Sequence, residues 1–246
     1  MPNTLFEKCA VSGIGETAYV RGSGKSETAL QMEASLKAIA DAGLNPKDID
    51  GVIPYATGSA VAEDFITNLG ISDLRLSATT PLGGASCLAA VQLAVGSIVA
   101  GIANHVLIPI GRNGYSGARS RVQQLPQFRT VGEFEMPLGQ IAPAQLYAHM
   151  ARRHMETFGT KSEHFGKIAV TVREHATMND NSLMKDPLTL EQHQTARMIS
   201  EPLRLFDCCL ESDGGAAIVV SNSERARDLK SQPVYIMGIA EGHPDS

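Results

Sequence analysis

Three places along the chain carry residue types that could do chemistry. The first is Gly13-Ile-Gly15-Glu-Thr-Ala18, a GxGxxA after a short apolar run. Such a fingerprint holds a pyrophosphate when a helix opens at once and aims its N-terminal amides at the phosphates. Here Tyr19–Gly24 intervenes and no helical period begins before Ser26, so the glycines read as a structural turn. The second place is Pro81-Leu-Gly-Gly-Ala-Ser-Cys87, ahead of a long apolar stretch. Glycines there let backbone approach a ligand, and a helix N-terminus favours a thiolate or a developing anion. Cys87 would sit near the first turn, where a thiol pKa can fall; as a small residue on a small-residue helix it also fits an inert core position. The third is Cys208-Cys209, followed by Glu211-Ser-Asp213-Gly-Gly, which reads as packing residues ahead of a strand. The seven histidines are scattered, with His149 and His154 five apart on a helix, so no metal constellation follows from them.

These groups must be held by elements, and strand alternates with helix through the first part. Val11–Ile14 reads as a buried strand, and Ser26 opens a helix with Ala29, Met32, Leu36 and Ile39 on one face. Gly43 stands at the left-handed C-cap position, and Pro46 prevents continuation. Asp50–Tyr55 and Leu74–Ala78 read as short strands, with a helix over Val61–Leu69 between them. Ser86 suits the N-cap of a helix running to about Ala100, expected buried in the centre because its residues are small or apolar. His105–Ile110 is a further strand. The stretch Arg112–Phe134 has no clean period and reads as an excursion, after which Ala144–Phe158 and Lys161–Met178 are helical, with Thr160 and Ser162 as cap candidates. Strand pattern resumes at Ala216–Val220, then a short helix Ser223–Leu229 and a strand Val234–Ile239. The fold class expected is α/β, a layered strand–helix sandwich interrupted by a helical insertion.

Composition narrows the function classes. The chain has 246 residues, 43% hydrophobic and 19% charged, enough apolar content for a real core and too much for a disordered chain. A net charge of −5 argues against a nucleic-acid surface. The longest apolar stretch, Leu88–Ala103, is broken by Gln92, Ser97 and two glycines, so no membrane span is expected. The N-terminus lacks a charged and an apolar signal region, and the four cysteines lack zinc spacing, so reduced thiols in a cytoplasm are expected.

At the glycine turn the sequence resembles a known family. Gly84-Ala-Ser-Cys-Leu-Ala-Ala-Val91, continuing to Gly101, is similar to the thiolase active-site segment, in which a cysteine nucleophile opens a helix that a glycine closes. Pro137-Leu-Gly-Gln-Ile-Ala-Pro-Ala144 resembles the segment that walls the acyl-CoA pocket. Leu205-Phe-Asp-Cys-Cys-Leu-Glu-Ser-Asp-Gly-Gly-Ala-Ala217 resembles the return into the core of sterol-carrier-protein-type thiolases. Arg112-Asn-Gly-Tyr-Ser-Gly-Ala-Arg119, Ala151-Arg-Arg-His-Met155 and Glu201–Asp207 resemble lipid-transfer-protein-like thiolase homologues, which include aldolases that shorten steroid side chains as CoA thioesters. The resemblance implies a thiolase-like layered α/β/α fold. Residues 1–112 and 203–246 would form the N-terminal core domain, 113–202 a loop domain lining the substrate pocket, and the C-terminal thiolase half would be absent.

In this register Gly84 occupies the thiolase nucleophile position, and a glycine cannot attack a thioester. Cys87 lies three residues on, most of a helical turn from that position. The resemblance therefore implies an aldolase-type retro-aldol cleavage of a β-hydroxyacyl-CoA, with two alternatives: a true thiolase or acetyl-CoA acyltransferase using Cys87, or a non-catalytic CoA- or lipid-binding subunit. No cofactor is implied beyond the coenzyme A thioester as substrate, and no general base of the family type is found. Gly242-His-Pro244 lacks the glycine-rich approach of the family's histidine motif and reads as chance. Implied substrate contacts are Leu138, Gly139 and Tyr147, with Arg152 and Arg153 facing CoA phosphates or forming a solvated helix face. Implied partners are a second copy, paired through the strand near Leu74–Ala78, and a zinc-ribbon/OB-fold acyl-CoA-binding protein.

Overall fold

The computed structural model describes residues 5, 7–54, 60–117 and 129–242. The chain divides into two compact units. The first comprises Met1–Ala18, Gly22–Asn113 and Asp213–Ser246; the second comprises Tyr19–Arg21 and Gly114–Ser212.

The first unit is built on strands β1 (Cys9–Glu16), β2 (Gly51–Val52), β3 (Leu76–Ser77), β4 (His105–Asn113) and, late in the chain, a long strand at Asp213–Asn222 and a short one at Val234–Tyr235. Two further short strands, β5 (Met198–Ser200) and β6 (Leu203–Arg204), belong to the second unit, so the late strands are β7 and β8. The sheet order is β3-β2-β4-β7-β1-β8, with β2 parallel to β3 and β4 and the remaining pairs antiparallel. Helices α1 (Glu27–Ala42) and α2 (Ala62–Leu69) cover one face, and α3 (Ser86–Val99) packs on the other. The period-two alternation of the strands assigns the faces. Leu107, Ala217 and Val219 join Ala34, Ala38, Ile39 and Phe65 on the first face. Val106, Ile108 and Val220 join Ala90, Ala94, Val95 and Ile98 on the second.

Helix α1 shows why its sequence folds as it does. Ser26 accepts from the Ala29 N–H as N-cap, and Gly43 takes φ 75° as the left-handed C-cap. The two glycines of the apparent nucleotide fingerprint lie inside β1, beneath this helix. A Cβ on Gly13 would lie 2.3 Å from the Ala38 carbonyl oxygen, and one on Gly15 would lie 2.3 Å from that of Ala34. The GxG is thus a seat for α1, reached by β1 as a strand rather than as a turn. Gly111 on β4 and Gly215 on β7 extend the seat, with their Cβ positions 2.7 Å from Gln31 Cγ and from the Leu30 carbonyl oxygen.

Several expected elements are shorter than the pattern suggests. The strand expected over Leu74–Ala78 forms over Leu76–Ser77, and that over Val234–Ile239 over Val234–Tyr235. The strand expected over Asp50–Tyr55 forms over Gly51–Val52, and Tyr55 lies outside the described residues. Arg119, in the expected excursion, and His243 and Pro244, in the C-terminal motif, also lie outside them. Helix α3 buries one face only: Leu88 is 73% exposed, and Leu93 and Val99 also face outward. A helix of small residues lies flat on a sheet, but a single sheet can cover only one of its sides.

The second unit is mainly helical: α4 (Pro143–Phe158), α5 (Ser162–Met178) and α6 (Leu190–Thr195), with the β5–β6 hairpin. Pro143 opens α4 at a position where no N–H is needed, and Gly159 ends it at φ 68°. The residue capping α5 is Lys161; Thr160 instead bonds His154 at 2.9 Å, and Ser162 Oγ is buried without a partner. Gly166 lets α5 approach α6, since a Cβ there would lie 2.6 Å from Leu190 Cδ1 and 2.8 Å from His193 Nδ1.

Candidate active site

The turn ahead of α3 is more tightly organised than a simple N-cap. Gly83–Ala85 forms a 3-10 turn that runs directly into α3, so Ser86 already lies inside the helical path. Its buried hydroxyl accepts from the Leu82 N–H at 3.0 Å, and the Thr80 hydroxyl donates to the Ser86 carbonyl at 2.8 Å. Ser86 therefore fastens the turn back to its approach instead of capping α3; Ala85 holds the cap position with no side-chain bond. At the exposed crest sits Gly84, where a Cβ would meet nothing within 4 Å. The site is thus an accessible backbone turn at the positive end of a fourteen-residue helix, with room above it.

Cys87 lies one short turn further on and is half-buried. Burial pushes its thiol above the ordinary value, and its own backbone N–H only partly offsets this. At neutral pH the group is a thiol rather than a thiolate, and the thiolate is the nucleophilic form. The favourable effect of a helix start on a thiolate loses here to desolvation.

The other sequence-derived candidates belong to the second unit. Leu138 ends a 3-10 turn over Met136–Leu138 and is 81% exposed; Gly139 caps that turn at φ 91°. Gln145 holds the following loop, accepting from Ile141 and Ala142 and donating to the Gly139 carbonyl. Tyr147, Arg152 and Arg153 lie along α4, all exposed. Arg152 pairs with Glu201 at 2.6 Å, so a phosphate would have to displace that carboxylate. Gly84 and Cys87 come together at one helix start, and Leu138, Gly139, Tyr147, Arg152 and Arg153 lie on one continuous segment of the other unit.

Two buried polar clusters escaped the sequence reading. In the first unit, His105 Nδ1 lies 2.8 Å from Ser221 Oγ, which lies 2.7 Å from Ser12 Oγ at the bulge of β1. Burial lowers the His105 pKa, with Asp50 opposing the shift. Asp50 itself accepts from the backbone N–H groups of Asn104 and His105. In the second unit, His193, fully buried, pairs with Asp207 at 2.7 Å, and the other carboxylate oxygen accepts from the Arg204 N–H. Neither cluster has a local spacing signal, because its members are separated by scores of residues or by a helix and a hairpin. No group of three or more potential metal ligands occurs among the described residues, and no helix among them is long and apolar enough to cross a membrane.

A layered α/β core, a small-residue helix opened by a glycine turn on one sheet face, and a helical insertion between β4 and β7 define the thiolase-like class. A solved SCP2-thiolase-like protein type 1 from Mycobacterium smegmatis shares that fold with a TM-score of 0.72, at 20% identity over 91% of this chain and 47% of that one. Relatives of this chain at about 40% identity are steroid-cleaving aldolases and lyases, and the chain is also similar to sterol carrier protein 2. It is 41% identical over 240 residues to the steroid side-chain-cleaving aldolase of Thermomonospora curvata, covering 95% of this chain and 61% of that protein. It is 38% identical over 245 residues to the 17-hydroxy-3-oxo-4-pregnene-20-carboxyl-CoA lyase of Mycobacterium tuberculosis, covering 97% and 64%. The structure of an Ltp2-ChsH2(DUF35) aldolase superposes with a TM-score of 0.91, at 40% identity over 98% of this chain and 62% of that one. The chain thus spans about three-fifths of the length of the curated relatives it matches. No family model matches it.

Proposed function

We propose that this chain carries the thiolase-like core and loop domain of an acyl-CoA carbon–carbon lyase that cleaves a β-hydroxyacyl-CoA by a retro-aldol reaction. The observation that carries the reading is Gly84: an exposed, side-chain-free crest at the start of α3, where the family resemblance puts a nucleophilic cysteine. Cleavage without an acyl-enzyme needs space and a stabilised oxyanion rather than a thiolate. A base takes the β-hydroxyl proton, and that oxygen's electron pair forms the new carbonyl. The Cα–Cβ bond breaks, and its pair moves onto the thioester as an enolate. The amides at the start of α3, at the positive end of the helix, face the developing charge on the thioester oxygen. Protonation at Cα then yields the shortened acyl-CoA. The identities to a steroid side-chain-cleaving aldolase and to a steroid carboxyl-CoA lyase support a steroid thioester as substrate.

In this reading the segment 113–202 is the loop domain, in which Leu138, Gly139 and Tyr147 wall the substrate pocket and Arg152 and Arg153 face the CoA phosphates. The exposed edge strand β3 pairs with a second copy, since an open edge is otherwise a liability. The similarity to the Ltp2-ChsH2(DUF35) aldolase supports a partner chain of the zinc-ribbon/OB-fold acyl-CoA-binding kind. A cytoplasmic location accords with a CoA thioester and with four free cysteines.

The test supplies the full-length protein and its partner chain with 17-hydroxy-3-oxo-4-pregnene-20-carboxyl-CoA. Retro-aldol cleavage between C17 and C20 releases a 17-ketosteroid and propionyl-CoA, both measurable by liquid chromatography and mass spectrometry. Turnover should persist in Cys87→Ala. Loss of turnover in that variant, or an acyl adduct on Cys87, would transfer the chemistry to a thiolase mechanism.

A further inference from the structure

The second unit contains a cavity of about 860 Å³ that none of the implied substrate contacts lines, although Cys208 and Cys209 do. One face of α5 forms its floor. Phe165, Ile168, Ala169, Val172 and Ala176 recur at the i, i+3, i+4, i+7 and i+11 positions of one helical stripe. A globular helix normally buries such a stripe, yet Ile168 is 64% and Val172 60% exposed. The opposing wall is the turn at 203–210, which contributes Leu205, Phe206 and Leu210.

Both walls are fixed by hydrogen bonds rather than by the apolar lining. On one side, Arg173 donates to the Asp186 carbonyl at 2.8 Å, Ser182 Oγ donates to the Ala176 carbonyl and Lys185 to that of Asn179, so segment 182–188 is tied to α5. On the other side, Asp207 is held by His193 and by the Arg204 N–H, and Arg204 also donates to the Ala196 carbonyl at 2.9 Å. The hollow is therefore preformed, mostly apolar, and within the ~300–1,000 Å³ typical of small-molecule sites.

Its charges define the ligand further. Arg173 lies over the Phe206 ring at 5.8 Å, and Arg21, also in the lining, stacks on Tyr115 at 4.6 Å. The lining's carboxylate, Asp207, already serves His193 and the Arg204 amide. An apolar hollow with two guanidinium groups and an engaged acid suits a rigid apolar body ending in an anion or a carbonyl. We propose that this cavity binds the polycyclic body of the substrate; the choice of a steroid rests on the lyase reading, while the cavity itself does not.

The test uses the full-length protein and 3-oxo-4-pregnene-20-carboxylic acid, the free acid without coenzyme A, measured by isothermal titration calorimetry. Binding should weaken at least tenfold in Val172→Trp, which fills the hollow, and in Ile168→Glu, which charges its floor. Both side chains are exposed, so the variants should keep the wild-type unfolding transition, and one suffices if the other does not fold. Arg21→Gln should weaken the 3-oxo acid more than its 3-deoxy analogue, because the ketone is the polar end of the ring system. Coenzyme A binding should stay unchanged throughout. Absence of steroid binding, or equal binding by the filled and charged variants, overturns the assignment. So does self-association abolished by Val172→Trp without steroid binding, which would make the hollow a protein interface. Turnover separates the two proposals. Lyase activity indifferent to Val172→Trp sinks the cavity assignment alone, and steroid binding lost in that variant without any wild-type turnover sinks the lyase reading alone.

Discussion

Some glycines of this chain seat another element against their bare Cα and others, Gly84 among them, face open space, and Gly15→Ala against Gly84→Ala tests that division. At Gly15 the new Cβ would lie 2.3 Å from the Ala34 carbonyl oxygen and 2.4 Å from the Ala38 nitrogen. Both are backbone atoms, so no rotamer change can relieve the clash. An ordinary contact begins near 3.4 Å, so α1 must retreat by about 1.1 Å along its middle. That retreat loosens Ala34, Ala38 and Ile39, all in the core cluster that contains Phe65. Overpacking of this kind costs about 1–3 kcal/mol, with the upper end expected when backbone is struck. At about 2–4 °C of melting temperature per kcal/mol, a 3 kcal/mol loss lowers Tm by about 6–12 °C. At Gly84 the same methyl meets nothing within 4 Å, and the change should stay within about 0.5 kcal/mol. Differential scanning calorimetry and urea titration followed by circular dichroism measure both. A Gly15→Ala protein as stable as wild type would refute the seat argument. A Gly84→Ala protein destabilised by more than about 2 kcal/mol would show that Gly84 serves the fold rather than leaving room for a substrate.

Two further outcomes follow from the buried titrating groups. Iodoacetamide at neutral pH should modify exposed Cys209 first, Cys208 and Cys87 slowly, and Cys9 only on unfolding, because burial raises Cys208 and Cys87 and pushes Cys9 up to about 11; peptide mapping showing early modification of Cys87 would contradict its assignment as an ordinary thiol. His105 is lowered in the fold, so below its ordinary pKa of 6.5 the unfolded chain binds the extra proton first; stability present above pH 6.5 should decline as pH falls through the lowered value, and a Tm-against-pH curve unchanged by His105→Gln would rule that source out.

Much of the first unit was legible because its signals are local. Ser26, Gly43 and the intervening apolar period place α1, and unbroken apolar runs place β4 and β7. The GxG misled as to local structure, since a glycine needed for close approach by another element looks the same in sequence as one needed for a turn. Ser86 misled because a preceding 3-10 turn moved the helix start past it. At the candidate site, Gly84 was legible only through family register. The cavity was half-legible: the stripe on α5 is a plain helical period, but its partners at 182–188 and 203–210 are joined to it only by tertiary hydrogen bonds. His193 and Asp207 belong to the same category, a pair whose meaning exists only once α6 and the following hairpin are folded.

The ladder between β4 and β7 ends at Asn113 opposite Asp213, and the next bond outward runs from the Gly114 N–H to the Ser212 carbonyl. In topological terms the second unit, apart from Tyr19–Arg21, is the loop of one β-hairpin. Closing a loop costs only about 0.6 kcal/mol for each doubling of its length, so the core feels the insertion's size weakly. The strand pair fixes where the chain departs and where it comes back, whatever lies between. Insertions at this hairpin can therefore lengthen, shrink or be exchanged with little consequence for the sheet, which makes it the natural position in this fold for substrate range to diverge while the scaffold stays the same.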